Sequence, residues 1–500
     1  MAKKKATRRE FLGALGLGLA AAAGSGIDAF GRTKEPGPAP AQAPARPPNI
    51  VLVFTDDQGY GDLGCYGSKD IATPNIDRLA AEGVRFTDFY ASQAVCSSSR
   101  ASLLTGCYSE RVGILGALMP NSRIGIGPDE ETIADLLKKR GYATAVFGKW
   151  HLGHHLPFLP LQHGFDEYLG LPYSNDMWPA TYDGKSIVDG RKTSYPPLPL
   201  IRGNEKIAEI RTLEDQDTLT TRYTEAALGF IDKNKDRPFF LYVPHSMPHT
   251  PLGVSNKFRG KSRQGPYGDV IQEIDWSVGQ ILGRLKLHGL EKDTWVIFAS
   301  DNGPWLNFGK YGGSAGPLRE GKGTMFEGGP RVPCVMRWPG KLAAGRVISN
   351  IASTIDLLPS IVAACGAPGP KNKIDGVDLW PLLEGKAGAD PRDHFFYYYE
   401  RGLRAVRQGR WKLIFPHKSR SYVGVPPGTG GLPGPYAEIM TGLELYDLET
   451  DIGETKNIAD THPDVVARLQ TLAETAREDL GDSLTNRKGT GLRPPGRLPD

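Results

Sequence analysis

From Asn49 onward, short apolar runs alternate with stretches of helical patterning. Residues 50–54 (Ile-Val-Leu-Val-Phe) are apolar at every position, with no in–out alternation. Such a run suits a strand buried on both faces. Runs at 143–147, 239–243 and 295–299 have the same character. Helical signals lie between them. Pro74 opens a helix, with Thr73 as its cap and Gly83 past its end. Ile133, Leu136, Leu137 and Arg140 share a helical face, and Gly141 closes it. Strands alternating with helices predict an α/β domain with a large, mainly parallel sheet, over 49–385. The pattern changes after Gly385. Runs at 395–399, 403–406, 411–415 and 443–448 read as strands joined by tight turns, with Gln408-Gly409 as a hairpin signal. A helix over 463–480 follows. This predicts a smaller C-terminal α+β domain with an antiparallel sheet over 386–485. Residues 486–500, rich in Gly, Pro and Arg, read as a loose tail.

The amino terminus reads as a targeting signal. Lys3, Lys4 and Lys5 precede Thr7-Arg8-Arg9-Glu10-Phe11-Leu12, which resembles a twin-arginine export motif. The apolar stretch over 11–24 is shorter than the ~20 residues that span a bilayer. It reads as a signal h-region, with no stable membrane span. A basic tail followed by a short core helix is the competing reading. On the first, residues 1–30 are the signal and 31–48 a Pro- and Ala-rich linker. The twin-arginine export machinery is then a partner, and the mature protein is periplasmic or secreted from a bacterium. The chain has 500 residues, 39% hydrophobic and 23% charged, an ordinary globular composition. A net charge of +4 argues against a broad nucleic-acid surface. An anionic substrate then needs local cations rather than a global field. The five cysteines (65, 96, 107, 334 and 365) show neither a C-x-x-C pair nor zinc spacing, and their pairing is open.

Each of the four buried runs ends in polar, reactive residues. In open α/β sheets, ligands bind outside the carboxyl ends of the strands. The first run ends in Thr55-Asp56-Asp57, and adjacent carboxylates there repel unless a cation lies between them. The second ends in Gly148-Lys149-Trp150-His151, a cation beside a base. The third leads into His245 and His249, the fourth into Asp301-Asn302-Gly303. Asp and Asn oxygens are hard ligands suited to calcium or magnesium. Taken singly, both acidic segments read equally well as solvated turns. His245 reads better as a structural loop histidine than as a site residue.

Residues 96–106 read Cys-Ser-Ser-Ser-Arg-Ala-Ser-Leu-Leu-Thr-Gly. Arg100 to Leu104 can begin a helix, which puts Cys96 just before a helix N-terminus, where a thiolate or an anion is favoured. Composition alone favours a small structural cysteine. The run resembles the signature of the type I sulfatases, Cys-x-Pro-Ser-Arg, three residues, then Leu-Thr-Gly. It matches at Cys96, Ser99, Arg100, Leu104, Thr105 and Gly106 and departs at Ser98, where the family has Pro or Ala. Four further blocks resemble the family, in its order: 56–64, 73–77, 148–153 and 321–329. With Leu445-Tyr446-Asp447-Leu448, the resemblance spans about 49–459. It points to the branch of arylsulfatase A and N-acetylgalactosamine-6-sulfatase.

The resemblance implies an alkaline phosphatase-like fold and a sulfuric ester hydrolase. Cys96 would be oxidised to formylglycine (3-oxoalanine) by a maturation enzyme. One calcium ion would be held by Asp56, Asp57, Asp301, Asn302 and the modified Cys96. Arg100 would hold the aldehyde hydrate, His151 would act on its hydroxyl, and Lys149 and Lys322, with His249 beside them, would bind sulfate. One hydrate hydroxyl would attack sulfur, breaking the ester S–O bond, expelling the alcohol and leaving a covalent sulfate on the enzyme. Deprotonation of the other re-forms the aldehyde and releases sulfate. The implied substrates are sulfated sugars or polysaccharides, with aryl sulfates as assay esters. Tyr173, Asn175, Trp178 and Trp305 are candidates for a sugar subsite, though each alone reads as loop packing. Two alternatives remain: a phosphonate or phosphodiester hydrolase of the same superfamily, and a sulfated-glycan binding protein without turnover.

Overall fold

The computed structural model describes residues 46–499. The export signal and most of the linker expected from the sequence lie outside the described residues. A ten-stranded mixed sheet organises the chain. Its centre consists of Thr294–Ser300, Asn49–Thr55, Phe239–Pro244 and Ala143–Phe147, in that spatial order and mutually parallel. Five of its nine neighbouring pairs are parallel. The sheet is therefore mainly parallel, with antiparallel strands among its outer members.

The unbroken apolar runs follow from burial on both faces. Ile50, Leu52 and Phe54 enter one core, whereas Val51 and Val53 enter the other. The first core includes helix residues Leu103, Leu104, Leu136 and Leu358. The second is built on helices Leu219–Asn234 and Pro266–Leu287. Each fully buried Val, Leu or Ile contributes roughly 1.5–3 kcal/mol. Because the four central strands are parallel, their carboxyl ends share one edge, and the polar segments beyond them come together there.

A four-stranded antiparallel sheet follows, in the order His394–Tyr399, Gly402–Gln408, Trp411–Ile414 and Glu444–Asp447. Helix Pro463–Leu480 packs on it through Leu469, Ala473 and Ala476. The hairpin turn falls on Gly409-Arg410, one residue later than the sequence signal, and Gly409 takes the left-handed conformation (φ 55°). A second hairpin, His417–Ser421 with Ala437–Thr441, was not foreseen.

Two local expectations differ from the structure. Thr73 precedes helix Pro74–Ala81, but its hydroxyl binds Asp77 Oδ1 at 3.0 Å and accepts the Gly64 amide at 2.9 Å, so it caps nothing. Residues 486–499 are not loose. Gly496–Arg497 pairs with Ile124–Gly125, and Arg493 Nε meets Glu130 Oε1 at 2.6 Å. None of the five cysteines is paired. Among the described residues no helix is long and apolar enough to cross a membrane.

Candidate active site

Asp56 and Asp57 leave the central strand directly. Asp57 adopts a left-handed backbone (φ 63°), and its amide donates to Asp301 Oδ1 at 3.1 Å. His151, two residues past the next cation, is also left-handed (φ 62°). Such conformations cost about 1–3 kcal/mol each outside glycine, and surrounding structure must hold them. Here they set the direction in which the chain leaves the sheet edge.

Three carboxylates and three cations interlock at that edge, and all six residues are buried. Asp56 Oδ2 accepts from Arg100 Nη2 at 3.0 Å and binds the Lys149 ammonium. Asp301 Oδ2 accepts from Arg100 Nη2 at 2.8 Å and from Nε at 3.2 Å. Lys322 Nζ lies 2.7 Å from Asp57 Oδ1 and 2.8 Å from its Oδ2. Burial pushes the Asp56 carboxyl up, but Lys149 and Arg100 outweigh it and hold Asp56 far below the ordinary carboxylate range. Asp301 is pushed up by burial and by Asp56. Carboxylates forced this close are relieved by a cation with hard oxygen ligands. Asn302 fits that demand: its amide nitrogen donates to Asp57 Oδ1 at 2.8 Å, and its buried Oδ1 has no hydrogen-bond partner. The potential ligand atoms of Asp56, Asp57, Cys96 and His249 all lie within 4.8 Å of one another.

Cys96 opens helix Cys96–Thr105, which ends on left-handed Gly106 (φ 69°). It thus stands within the first turn, not before it. Its Sγ is 3.5 Å from Asp56 Oδ1. The expected thiolate is not favoured: burial and then Asp56 push the thiol up to about 12. The helix N-terminus cannot overcome desolvation beside a carboxylate. Arg100 sits one turn on, and its Nη1 also donates to the Lys149 carbonyl at 3.2 Å.

The histidines divide by tautomer. His151 Nε2 lies 3.0 Å from the Leu118 carbonyl, which can only accept, so Nε2 carries the proton. Its Nδ1 is buried without a partner. Burial, Lys149 and Arg100 keep the ring neutral. His249 donates from Nδ1 to the Thr250 carbonyl at 2.6 Å and sets Nε2 3.6 Å from Asp57 Oδ2. Burial and Lys322 lower its pKa. His245 stands apart from the cluster. Both its ring nitrogens are buried without partners, and burial lowers its pKa to about 3.

Residues 48–367 match the sulfatase family profile. The chain belongs to the sulfatase family. Profiles for the C-terminal region of aryl-sulfatase and the C-terminal part of N-sulphoglucosamine sulphohydrolase match 390–492 and 321–422. Arylsulfatase A of Homo sapiens is 41% identical over 453 residues, covering 86% of this chain and 88% of that protein. N-acetylgalactosamine-6-sulfatase of Mus musculus is 40% identical over 466 residues, covering 87% of each. The crystal structure of PsFucS1 sulfatase from Pseudoalteromonas sp. superposes with a TM-score of 0.76 at 28% identity, covering 86% of this chain and 90% of that one. The protein is a sulfatase of type I, alkaline phosphatase-like in fold, and hydrolyses sulfate esters.

In this sulfatase the structure brings Asp56, Asp57, Cys96, Arg100, Lys149, His249, Asp301, Asn302 and Lys322 together by direct contact. His151 is two residues past Lys149, within the field of Lys149, Arg100 and Asp56. Of the aromatic candidates, Trp305 belongs to the site: its ring lies 5.3 Å from that of His249, with Lys322 Nζ 4.3 Å over it. Tyr173 and Trp178 are core residues. Asn175 Nδ2 donates to Gln216 Oε1 and to the carbonyls of His249 and Pro251, and its buried Oδ1 has no partner. Two polar residues of the site went unread. Ser174 Oγ takes Lys149 Nζ at 3.1 Å, and Asp176 is buried within the field of His249, Lys192, Lys322 and Lys149. Both follow a strand end, the one signal that could have found them.

Proposed function

We propose that this sulfatase cleaves the sulfate monoester of a sulfated sugar, with Cys96, after oxidation to formylglycine, as its nucleophilic position. The observation that carries this is Cys96 Sγ at 3.5 Å from Asp56 Oδ1, inside a buried cluster of Arg100, Lys149 and Lys322. The sugar class is supported by the 40% identity to an N-acetylgalactosamine-6-sulfatase. When bound, calcium polarises the ester, and the oxidised Cys96 supplies a hydroxyl nucleophile at neutral pH. Asp56, Asp57, Asp301 and Asn302 would hold the ion.

The chain's own residues do the rest. Lys149 and Lys322 bind sulfate oxygens, and His249 borders the same anion. Their charges, in a buried setting, stabilise the negative charge that develops as the ester bond breaks. Arg100 fixes Asp56 and Asp301 and steadies the residue at position 96. The free Nδ1 of His151 is the proton acceptor, because its Nε2 is committed to the Leu118 carbonyl. Trp305 presents a ring to the departing sugar.

Mass spectrometry of the peptide holding position 96, on protein from a host with a maturation enzyme, should find formylglycine. Elemental analysis of the same sample should give one calcium per chain. An unmodified Cys96 in an active preparation would refute the nucleophile assignment. The purified enzyme should also prefer a sulfate ester over its matched phosphate ester; the reverse preference would overturn the substrate class.

The export reading also belongs here: residues 1–30 direct a folded protein through the twin-arginine machinery to the periplasm or beyond. Replacing Arg8 and Arg9 with Lys should leave the protein in the cytoplasm, and normal export of that variant would disprove it.

A further inference from the structure

We propose that a cavity on the C-terminal sheet, beside the Lys322 loop, is a second anion subsite that holds a charged substituent on the sugar ring next to the one being desulfated. It rests on the sulfated-sugar reading above and extends it to a polyanionic glycan. The cavity measures about 200 Å³ and is walled on one side by Gly323 and Thr324, the two residues after Lys322. That is below the about 300–1,000 Å³ of drug-sized ligand sites and suits a single ring. Its other walls come from Tyr399, Arg404, Arg420 and Tyr436.

The two arginines are the informative groups. Buried arginines elsewhere in the fold pair with carboxylates: Arg100 with Asp56 and Asp301, Arg331 with Asp88 and Glu327, Arg392 with Asp356. Arg404 and Arg420 are half-buried, and among the described residues neither has a carboxylate within ion-pair distance. The Arg404 guanidinium makes no hydrogen bond there at all, and burial lowers its pKa. A half-buried guanidinium that only water serves is a group to which an anion can bind with little competition from the protein. The acidic groups of the cavity do not cancel it. Glu438 is taken by Lys418 at 2.7 Å, and burial outweighs the field of Glu400 and Asp482 on Arg404.

The cavity is joined to the catalytic loop. Arg420 Nη1 donates to the Tyr422 hydroxyl at 3.3 Å, and that hydroxyl donates to the Lys322 carbonyl at 2.6 Å. Gly323 is left-handed (φ 81°), and a Cβ there would fall 2.7 Å from Arg420 Nη1. The glycine therefore admits the guanidinium against the backbone of the residue that follows Lys322. Tyr399 feels the Lys322 charge. The cavity therefore shares a wall, Gly323 and Thr324, with the loop that carries Lys322. Tyr436 is 46% exposed, with Arg420 Cζ 4.3 Å from its ring, and offers an aromatic edge to a sugar ring lodged in the cavity.

The test compares kcat/KM for four probes: an aryl sulfate, a disaccharide sulfated on one ring only, the same disaccharide with a sulfate on its second ring, and the same with a uronate carboxylate there. In the wild type, a second charge should raise kcat/KM about tenfold or more over the neutral-ring disaccharide, mainly through KM. In Arg404→Gln that advantage should shrink to about twofold, and Arg404→Lys should restore part of it. Whichever charged ring shows the gain names sulfate or carboxylate as the recognised group. Two results overturn the subsite: a wild type indifferent to the second charge, or an Arg404→Gln variant that loses equally on all four probes. Failure to turn over any probe, aryl sulfate included, overturns the sulfated-sugar reading and the subsite with it.

Discussion

Cys96→Ser should lower turnover of an aryl sulfate by about 10³-fold or more, with KM changed little. The expectation follows from what serine can and cannot supply. It has one hydroxyl where the oxidised residue offers two, so a sulfate transferred to it has no internal route of release. Loss of a nucleophile that works as part of a unit costs several orders of magnitude in kcat. The fold should tolerate the change. Position 96 opens a helix, where serine is well placed, and the neighbouring Ser97, Ser98 and Ser99 are already buried there. Substrate binding should persist, because Lys149, Lys322 and Arg100 are held by carboxylates and not by Cys96. Steady-state kinetics, with circular dichroism to confirm folding, checks this. Activity within tenfold of the wild type would end the formylglycine mechanism. A variant that releases one equivalent of phenol and then stops would support it.

The site was legible where chemistry sits in contiguous sequence. Apolar runs without alternation marked the strands, and the polar residues just past each run marked one edge of the sheet. Adjacency of the four strands in space then brings Asp56, Lys149, His249 and Asp301 together, which no single run announces. What stayed hidden depends on isolated long-range contacts. Asp62, buried and pushed up to about 7 by burial, takes the Tyr267 hydroxyl at 2.6 Å from 205 positions away. Residue types alone do not encode such a pair. The thiolate expectation failed for a related reason: a helix N-terminus is visible in sequence, but the desolvation that opposes it is a property of the packed interior. The tail was misread because Gly and Pro content reports backbone preference, whereas Arg493 on Glu130 and the Gly496–Arg497 pairing hold that segment against the body.

The second large effect is expected far from the reacting atoms, at Lys412. Its ammonium is fully buried on strand Trp411–Ile414 and lies 2.9 Å from Glu327 Oε1 and 2.8 Å from Glu454 Oε1. Glu327 also takes the hydroxyls of Tyr90 at 2.6 Å and Tyr397 at 2.8 Å, and Arg331 Nη1 at 3.2 Å. Burial pushes Glu327 up, but Lys412 and Arg331 more than reverse it, so it stays charged. Glu327 shares its loop with Lys322, five residues earlier, and its amide donates to Glu454 Oε2 at 2.7 Å. Lys412 is therefore the pin by which the C-terminal sheet holds the catalytic loop. Lys412→Met keeps the volume of the side chain and removes the charge, leaving two buried carboxylates short of a cation. Breaking a buried ion pair from one side costs about 3–5 kcal/mol. The urea midpoint should fall accordingly, and kcat should drop as the Lys322 loop loosens. Adding Glu454→Gln to Lys412→Met should recover part of the stability, since it replaces a carboxyl that burial already pushes up to about 7 with a neutral amide, and the double-mutant cycle isolates that coupling. A loss below about 1 kcal/mol in the single variant would mean that Arg331 and the two tyrosines satisfy Glu327 alone, and that the two sheets are joined by apolar packing through Tyr90, Phe326 and Phe395 instead.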